Sequence, residues 1–207
     1  MHPTDLTDQL TQDEGRAQLR RALRARRRAL SARERRLAGE AAARRFAQHS
    51  LFLRSRRIAF YLAHEGEMDP APLMARAWAM GKRVYLPVLR PLGANRLWFT
   101  PYRPGDRLVA NRFGIEEPPA RLASAVPPWG LDLVLAPLVG FDRQGGRLGM
   151  GGGFYDRTLA YLLQRHHWRR PLLAGLAYEF QEVPALPRQP WDVPLAAVVT
   201  EQGARLF

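Results

Sequence analysis

From Arg16 onward apolar residues recur at helical spacing. Leu19, Leu23 and Leu30, with Ala22 between them, define one face, and Arg16, Arg20, Arg24 and Arg27 form a basic stripe on another. The run RAQLRRALRARRRALSARERRLAGEAAARRFAQHSLFLRS is rich in Ala, Leu and Arg, so it reads as helix. Ser31 followed by Glu34 is a capping box, which divides the run into two helices. Ahead of it, residues 1–15 read as a flexible tail. The pattern then changes to short apolar runs: RRIAFYLA (56–63), KRVYLPVL (82–89), NRLWFTPY (95–102), LDLVLAPLVGFD (131–142), PLLAGLAY (171–178) and LAAVVTE (195–201). These read as strands. Residues 70–80 and 155–167 read as helices, and 103–130, rich in Pro and Gly, as a long ordered loop. A strand–helix–strand order favours a parallel pair with a right-handed crossover. The near-continuous apolar run at 131–142 fits a central strand covered on both faces. The pattern predicts an α/β fold over 16–207, one domain with helices on both sides of a mostly parallel sheet and an N-terminal basic helical segment.

The 207 residues, 46% of them hydrophobic, are enough for a substantial core. Cysteine is absent, which excludes disulfides, thiolate nucleophiles and Cys-based zinc sites. The first fifteen residues carry four acids and no Lys or Arg, the opposite of a signal peptide. No apolar run approaches the ~20 residues of a membrane span. A soluble, cytoplasmic protein is expected. The net charge is +13, and Arg16–Arg57, with fifteen Arg and two Glu, accounts for all of it, since the tail contributes −4 and the remainder +4. Such a segment suits polyanions in general, whether nucleic acid, membrane phosphates or nucleotides. No RNP-type aromatic strand, zinc-finger spacing or turned helix pair accompanies it.

The densest chemistry lies in GRLGMGGGFYDRTL (146–159), with five glycines between Gly146 and Gly153. Glycines let backbone N–H groups approach a ligand, and a following helix start adds donors, so phosphate is the natural guest. The loop lacks the lysine of a Walker motif and the third glycine of the dinucleotide fingerprint. A chain-reversing turn with no ligand is the plainer alternative. Around it, Arg147 suits a bidentate phosphoryl contact or a solvated loop position. Asp156 suits Mg²⁺ or helix-dipole compensation. Tyr155 lines a pocket or packs under its helix. Asp142 faces ligand or caps the turn to Gly145. Within HEGEMDP, Glu67 is the better functional candidate and Asp69 an ordinary helix cap. Of Trp98, Phe99, Tyr102 and Phe113, at least half belong to the core. His64, His166 and His167 make no metal-ligand spacing, and no Gly-x-Ser-x-Gly elbow occurs.

RAQLR and ARRRALS, then GEMD, GKRVYLPVL, LDLVLAPLVGFD, GRLGMGGGFYDRTL and WDVPLAAVVTE occur in an order that resembles the 5-formyltetrahydrofolate cyclo-ligase (5,10-methenyltetrahydrofolate synthetase) family, over about residues 15–202. The resemblance implies a three-layer α/β/α single domain, a monomer without an obligate protein, nucleic-acid or membrane partner. It implies MgATP-dependent conversion of 5-formyltetrahydrofolate, with or without a polyglutamate tail. By the same resemblance Arg16 and Arg20 reach ATP phosphates. Arg147, Leu148, Gly149, Met150, Gly151, Gly152, Gly153, Phe154 and Tyr155 hold the nucleotide. Arg147, Tyr155 and Asp156 serve catalysis, Glu67, Phe113 and Tyr155 the pterin, and Asp156 and Asp192 the Mg²⁺. The chain departs from the family where Gly152 replaces a lysine common in eukaryotic members and where Trp191, not His, precedes Asp192. The competing readings are a nucleic-acid or ribosome-associated protein using the basic helices, and another nucleotide or sugar-phosphate enzyme.

Overall fold

The computed structural model describes residues 3–90, 95–119, 124–164 and 170–207, with side chains from residue 13 onward. Helix α1 runs Pro3–Ala29, α2 Ala32–Phe46 and α3 Ser50–Arg54. The break between α1 and α2 has its expected cause: Ser31 Oγ accepts the Glu34 amide and Glu34 Oε2 accepts the Ser31 amide. The tail expected over 1–15 is instead helical from Pro3.

Strand β1 is Arg57–Ala59, α4 Ala71–Ala79, β2 Arg83–Leu89 and β3 Leu97–Pro101. The long 103–130 connection carries a small ribbon, β4 (Val109–Ala110) with β5 (Glu116–Glu117), and a 3₁₀ turn at 128–130. The apolar run 131–142 is not one strand. It gives β6 (Leu133–Pro137), then leaves the sheet, and β7 (Gly140–Phe141) pairs antiparallel with β8 (Arg147–Leu148). Pro137 brings no N–H to continue the ladder, which suits the exit there. Helices α5 (Phe154–Leu159) and α6 (Tyr161–Gln164) follow; His166 and His167 lie outside the described residues. Strands β9 (Leu172–Leu176) and β10 (Ala197–Thr200) lie in the expected runs, but β11 (Gly203–Leu206), beyond the expected last strand, forms the sheet edge.

The sheet order is β11-β10-β9-β6-β1-β2-β3, parallel from β10 to β2 with antiparallel edges. Alternation sends successive strand residues to opposite faces. Leu133, Leu135, Ala174 and Val199 meet Ala43, Phe46, Leu73 and Ala77 of α2 and α4. Val134, Ala136, Leu173 and Val198 meet Leu159 of α5 with Leu131 and Phe141. The three layers are thus an α/β/α sandwich. The chain leaves β1 toward β2 and leaves β6 toward β9, on opposite sides. β1 and β6 are neighbours, so a switch point opens at their shared carboxyl edge, where such sheets bind ligands.

Candidate functional site

Two loops meet at that edge. After β1, Glu65 (φ 50°) and Gly66 (φ 78°) are both left-handed and turn the chain, bringing Glu67 inward. After β6 and the β7–β8 hairpin comes the glycine loop, in which Gly151 (φ 102°) and Gly153 (φ 61°) hold backbone conformations that side chains disfavour. A Cβ at Gly151 would meet nothing within 4 Å among the described residues, so its glycine serves conformation rather than space. Helix α1 lies against both loops, with Leu23 packed on Val139, Leu148 and Leu186.

Between these parts is a cavity of about 840 Å³. Arg16, Arg20 and Arg24 line it from α1, Glu67 from the first loop and Phe113 from the ribbon turn. The glycine loop contributes Arg147, Gly149, Met150, Gly151, Gly152 and Gly153; Phe154, Tyr155, Asp156 and Asp192 complete the expected set. One expected residue is absent from the wall. Leu148 is 1% exposed and packs with Leu23 in the core, while its carbonyl accepts the Val139 amide at 2.7 Å. Its place in the β7–β8 ladder commits it inward.

The cationic groups are held in place. Arg16 donates to Asp192 Oδ2 (2.9 Å) and to the Pro187 carbonyl (2.6 Å). Arg20 Nε donates to the Gly149 carbonyl at 2.9 Å, tying α1 to the glycine loop. Burial and the neighbouring Arg16 charge both pull the Arg20 pKa down, so an anion arriving here relieves unfavourable electrostatics. Arg147 pairs with Asp156, whose Oδ1 also accepts the Val193 amide. Arg147 Nε and Arg24 Nε are buried donors with no partner among the described residues. Unsatisfied donors of this kind cost free energy until a ligand meets them. Donors of this kind suit an anion.

Glu67 is the buried acid of the wall. Its Oε2 accepts the His64 amide at 3.2 Å and its Oε1 lies 3.7 Å from Arg27 Nη1. Burial pushes its pKa up to about 7 against the pull of Arg27. Tyr155 is held protonated by burial and by the Glu67 charge, its pKa raised far above the ordinary tyrosine value. Phe113 is 52% exposed and meets Phe154 edge-on at 5.7 Å. Phe99 is core, and Tyr102 packs against Trp78.

Other candidates resolve to structure. Asp142 is 1% exposed and accepts amides from Gln144, Gly146 and Leu186, so it caps the hairpin turn. Asp69 accepts the Ala71 amide at 2.9 Å and caps α4. Among the described residues no group of three or more His, Asp or Glu could hold a metal ion. Asp156 and Asp192 each already face an arginine. That donor set fits Mg²⁺ held mainly by phosphate oxygens and water, with one or two carboxylates assisting. Arg24 is the wall residue whose role the sequence understated, although its place in the basic stripe was visible.

Arginines from one helix and one hairpin converge with a glycine loop at the switch point of a mostly parallel sheet. The fold and site define an α/β protein whose arginine- and glycine-lined cavity suits phosphoryl anions. The model of the 5-formyltetrahydrofolate cyclo-ligase family matches residues 12–201, and the chain belongs to that family. It is 44% identical over 178 residues to the 5-formyltetrahydrofolate cyclo-ligase of Escherichia coli K12, spanning 86% of this chain and 96% of that one. It is 42% identical over 154 residues to the Haemophilus influenzae enzyme of the same name, spanning 72% and 79%. The NMR structure of Aquifex aeolicus 5,10-methenyltetrahydrofolate synthetase superposes with a TM-score of 0.75 at 33% identity, covering 92% of each chain. Among the described residues no helix is long and apolar enough to cross a membrane.

Proposed function

We propose that this chain converts 5-formyltetrahydrofolate to 5,10-methenyltetrahydrofolate with cleavage of ATP to ADP and phosphate. A formamide carbon is a poor electrophile because nitrogen donates into the carbonyl. ATP supplies the phosphoryl group that turns the formyl oxygen into a leaving group, and N10 of the folate closes the ring, losing its proton as phosphate departs. No protein nucleophile is required. The chain's task is alignment and charge stabilisation. Arg16, Arg20 and Arg147, with the loop amides, hold the phosphates. Asp156 and Asp192 assist Mg²⁺, which would supply charge neutralisation on the phosphoryl group. Glu67 accepts N–H groups of the pterin, and Phe113 and Tyr155 flank its ring. Residues 16–207 act as one unit, a cytoplasmic monomer.

The observation that carries this reading is that the arginine stripe, the glycine loop and Glu67 share one cavity built from a single chain. Mixing the protein with 5-formyltetrahydrofolate, ATP and Mg²⁺ should raise the near-ultraviolet absorbance of the methenyl product, with no rise when ATP is omitted. A flat trace under saturating substrates overturns the assignment.

A further inference from the structure

Arg27 does not touch the cavity, yet it is 1% exposed. A buried guanidinium keeps its charge, and in a purely mechanical role an apolar side chain of similar volume serves as well or better. Its contacts point to a purpose. Arg27 Nε donates to the Glu65 carbonyl at 3.2 Å, and Nη1 reaches the Leu138 carbonyl at 3.5 Å. The same Nη1 lies 3.7 Å from Glu67 Oε1, and Nη2 is buried without a partner among the described residues. The fork therefore joins α1, the loop after β1 and the exit of β6, the three parts that meet behind Glu67.

We infer that Arg27 is a positioning residue for Glu67: tied to backbone on two sides, it fixes the carboxylate at the cavity wall and balances its charge. The inference rests on the reading that Glu67 receives the pterin. Other groups facing Glu67 are Arg24 from α1, Glu65 from its own loop, Tyr61 beyond β1 and Tyr155 from α5. The Tyr178 hydroxyl, from the segment after β9, donates to the Gly66 carbonyl at 3.2 Å and reaches the Glu67 carbonyl at 3.4 Å. Of the two arginines, Arg27 exerts the larger pull on the carboxyl, and Glu65 pushes the other way. Removing Arg27 takes away the largest of the groups that oppose burial, leaving the His64 amide and Arg24, and the carboxyl becomes harder to ionise.

The test is a ¹³C-carboxyl NMR titration of the full-length, ligand-free chain, paired with equilibrium binding of 5-formyltetrahydrofolate across the neutral range. Arg27→Met should raise the Glu67 midpoint by about one unit or more. It should weaken folate binding several-fold at neutral pH, with recovery at alkaline pH. Arg27→Gln, which keeps an amide within reach of the carbonyls, should do the same and serves if Arg27→Met does not fold. Arg27→Lys, which retains the charge, should keep the midpoint near that of the wild type. An unmoved midpoint in either folded neutral variant, or an equal rise in Arg27→Lys, overturns the inference. If Glu67→Gln binds folate as tightly as the wild type, the pterin reading fails instead, and the carboxyl titration still judges Arg27.

Discussion

Arg147 and Asp156 were legible as candidates because they flank the glycine loop, but their mutual pairing was not, since it depends on how β8 turns into α5. That pairing makes the two unequal under mutation. The Arg147 side chain is 4% exposed and that of Asp156 18%. Asp156→Ala strands a buried guanidinium and should cost about 3 kcal/mol or more. Arg147→Ala leaves a carboxylate that still accepts the Val193 amide and reaches solvent, so its cost should be smaller. Turnover should fall strongly in both, while urea denaturation should show the larger stability loss in Asp156→Ala. Equal losses would refute the asymmetry. Glu67 carries a second prediction, of pH dependence. Its pKa is about 7 in the fold against about 4.5 ordinarily, so it contributes stability fully below the lower value and loses it as pH rises through the upper one. The swing is about 3 kcal/mol. Subtracting the stability of Glu67→Gln from that of the wild type cancels the other groups. The difference should decline across that window; a level difference would remove the assigned shift.

The amphipathic pattern of α1 located its apolar and basic faces, and both found the partners that such faces need. Leu19 and Leu23 pack with Val139, Leu148 and Leu186, while Arg16, Arg20 and Arg24 line the cavity. What periodicity could not supply was the register of α1 against the glycine loop, because the contacts are far apart in sequence. The split of 131–142 into β6 and β7 was hidden for another reason, since a continuous apolar run carries no signal of where pairing stops. The strand β11 is too short and too exposed to declare itself. The register has a measurable consequence. Arg20 donates to Gly149 and presents its charge to the cavity. Arg20→Ala should raise the KM for ATP about tenfold, the loss expected for one charged hydrogen bond. The KM for 5-formyltetrahydrofolate should change less, and the far-ultraviolet circular dichroism should stay unchanged. A rise confined to the folate KM would move Arg20 out of the phosphate subsite.

At the scale of the molecule, the sequence conveyed the α/β alternation and the concentration of charge, but not how that charge is distributed once folded. Of the excess carried by Arg16–Arg57, Arg16, Arg24, Arg27 and Arg28 are drawn into pairs with Asp192, Glu65 and Glu67 around one cavity. Arg21, Arg33 and Arg44 are exposed on the helices. The pairing turns α1 into a bridge: Arg16 fastens it to the segment ending at Asp192, Arg20 to the glycine loop, and Arg27 to the loop after β1. A ligand that engages the stripe should therefore stabilise segments that are remote in sequence. At a hundredfold excess over its dissociation constant, MgATP should add about 2.7 kcal/mol to the folded state. Hydrogen exchange should slow together in residues 16–29, 147–157 and 187–193, because opening any one of them breaks contacts to the others. Protection confined to the glycine loop would mean that the nucleotide bypasses α1, and that the basic stripe serves a different ligand from the one proposed.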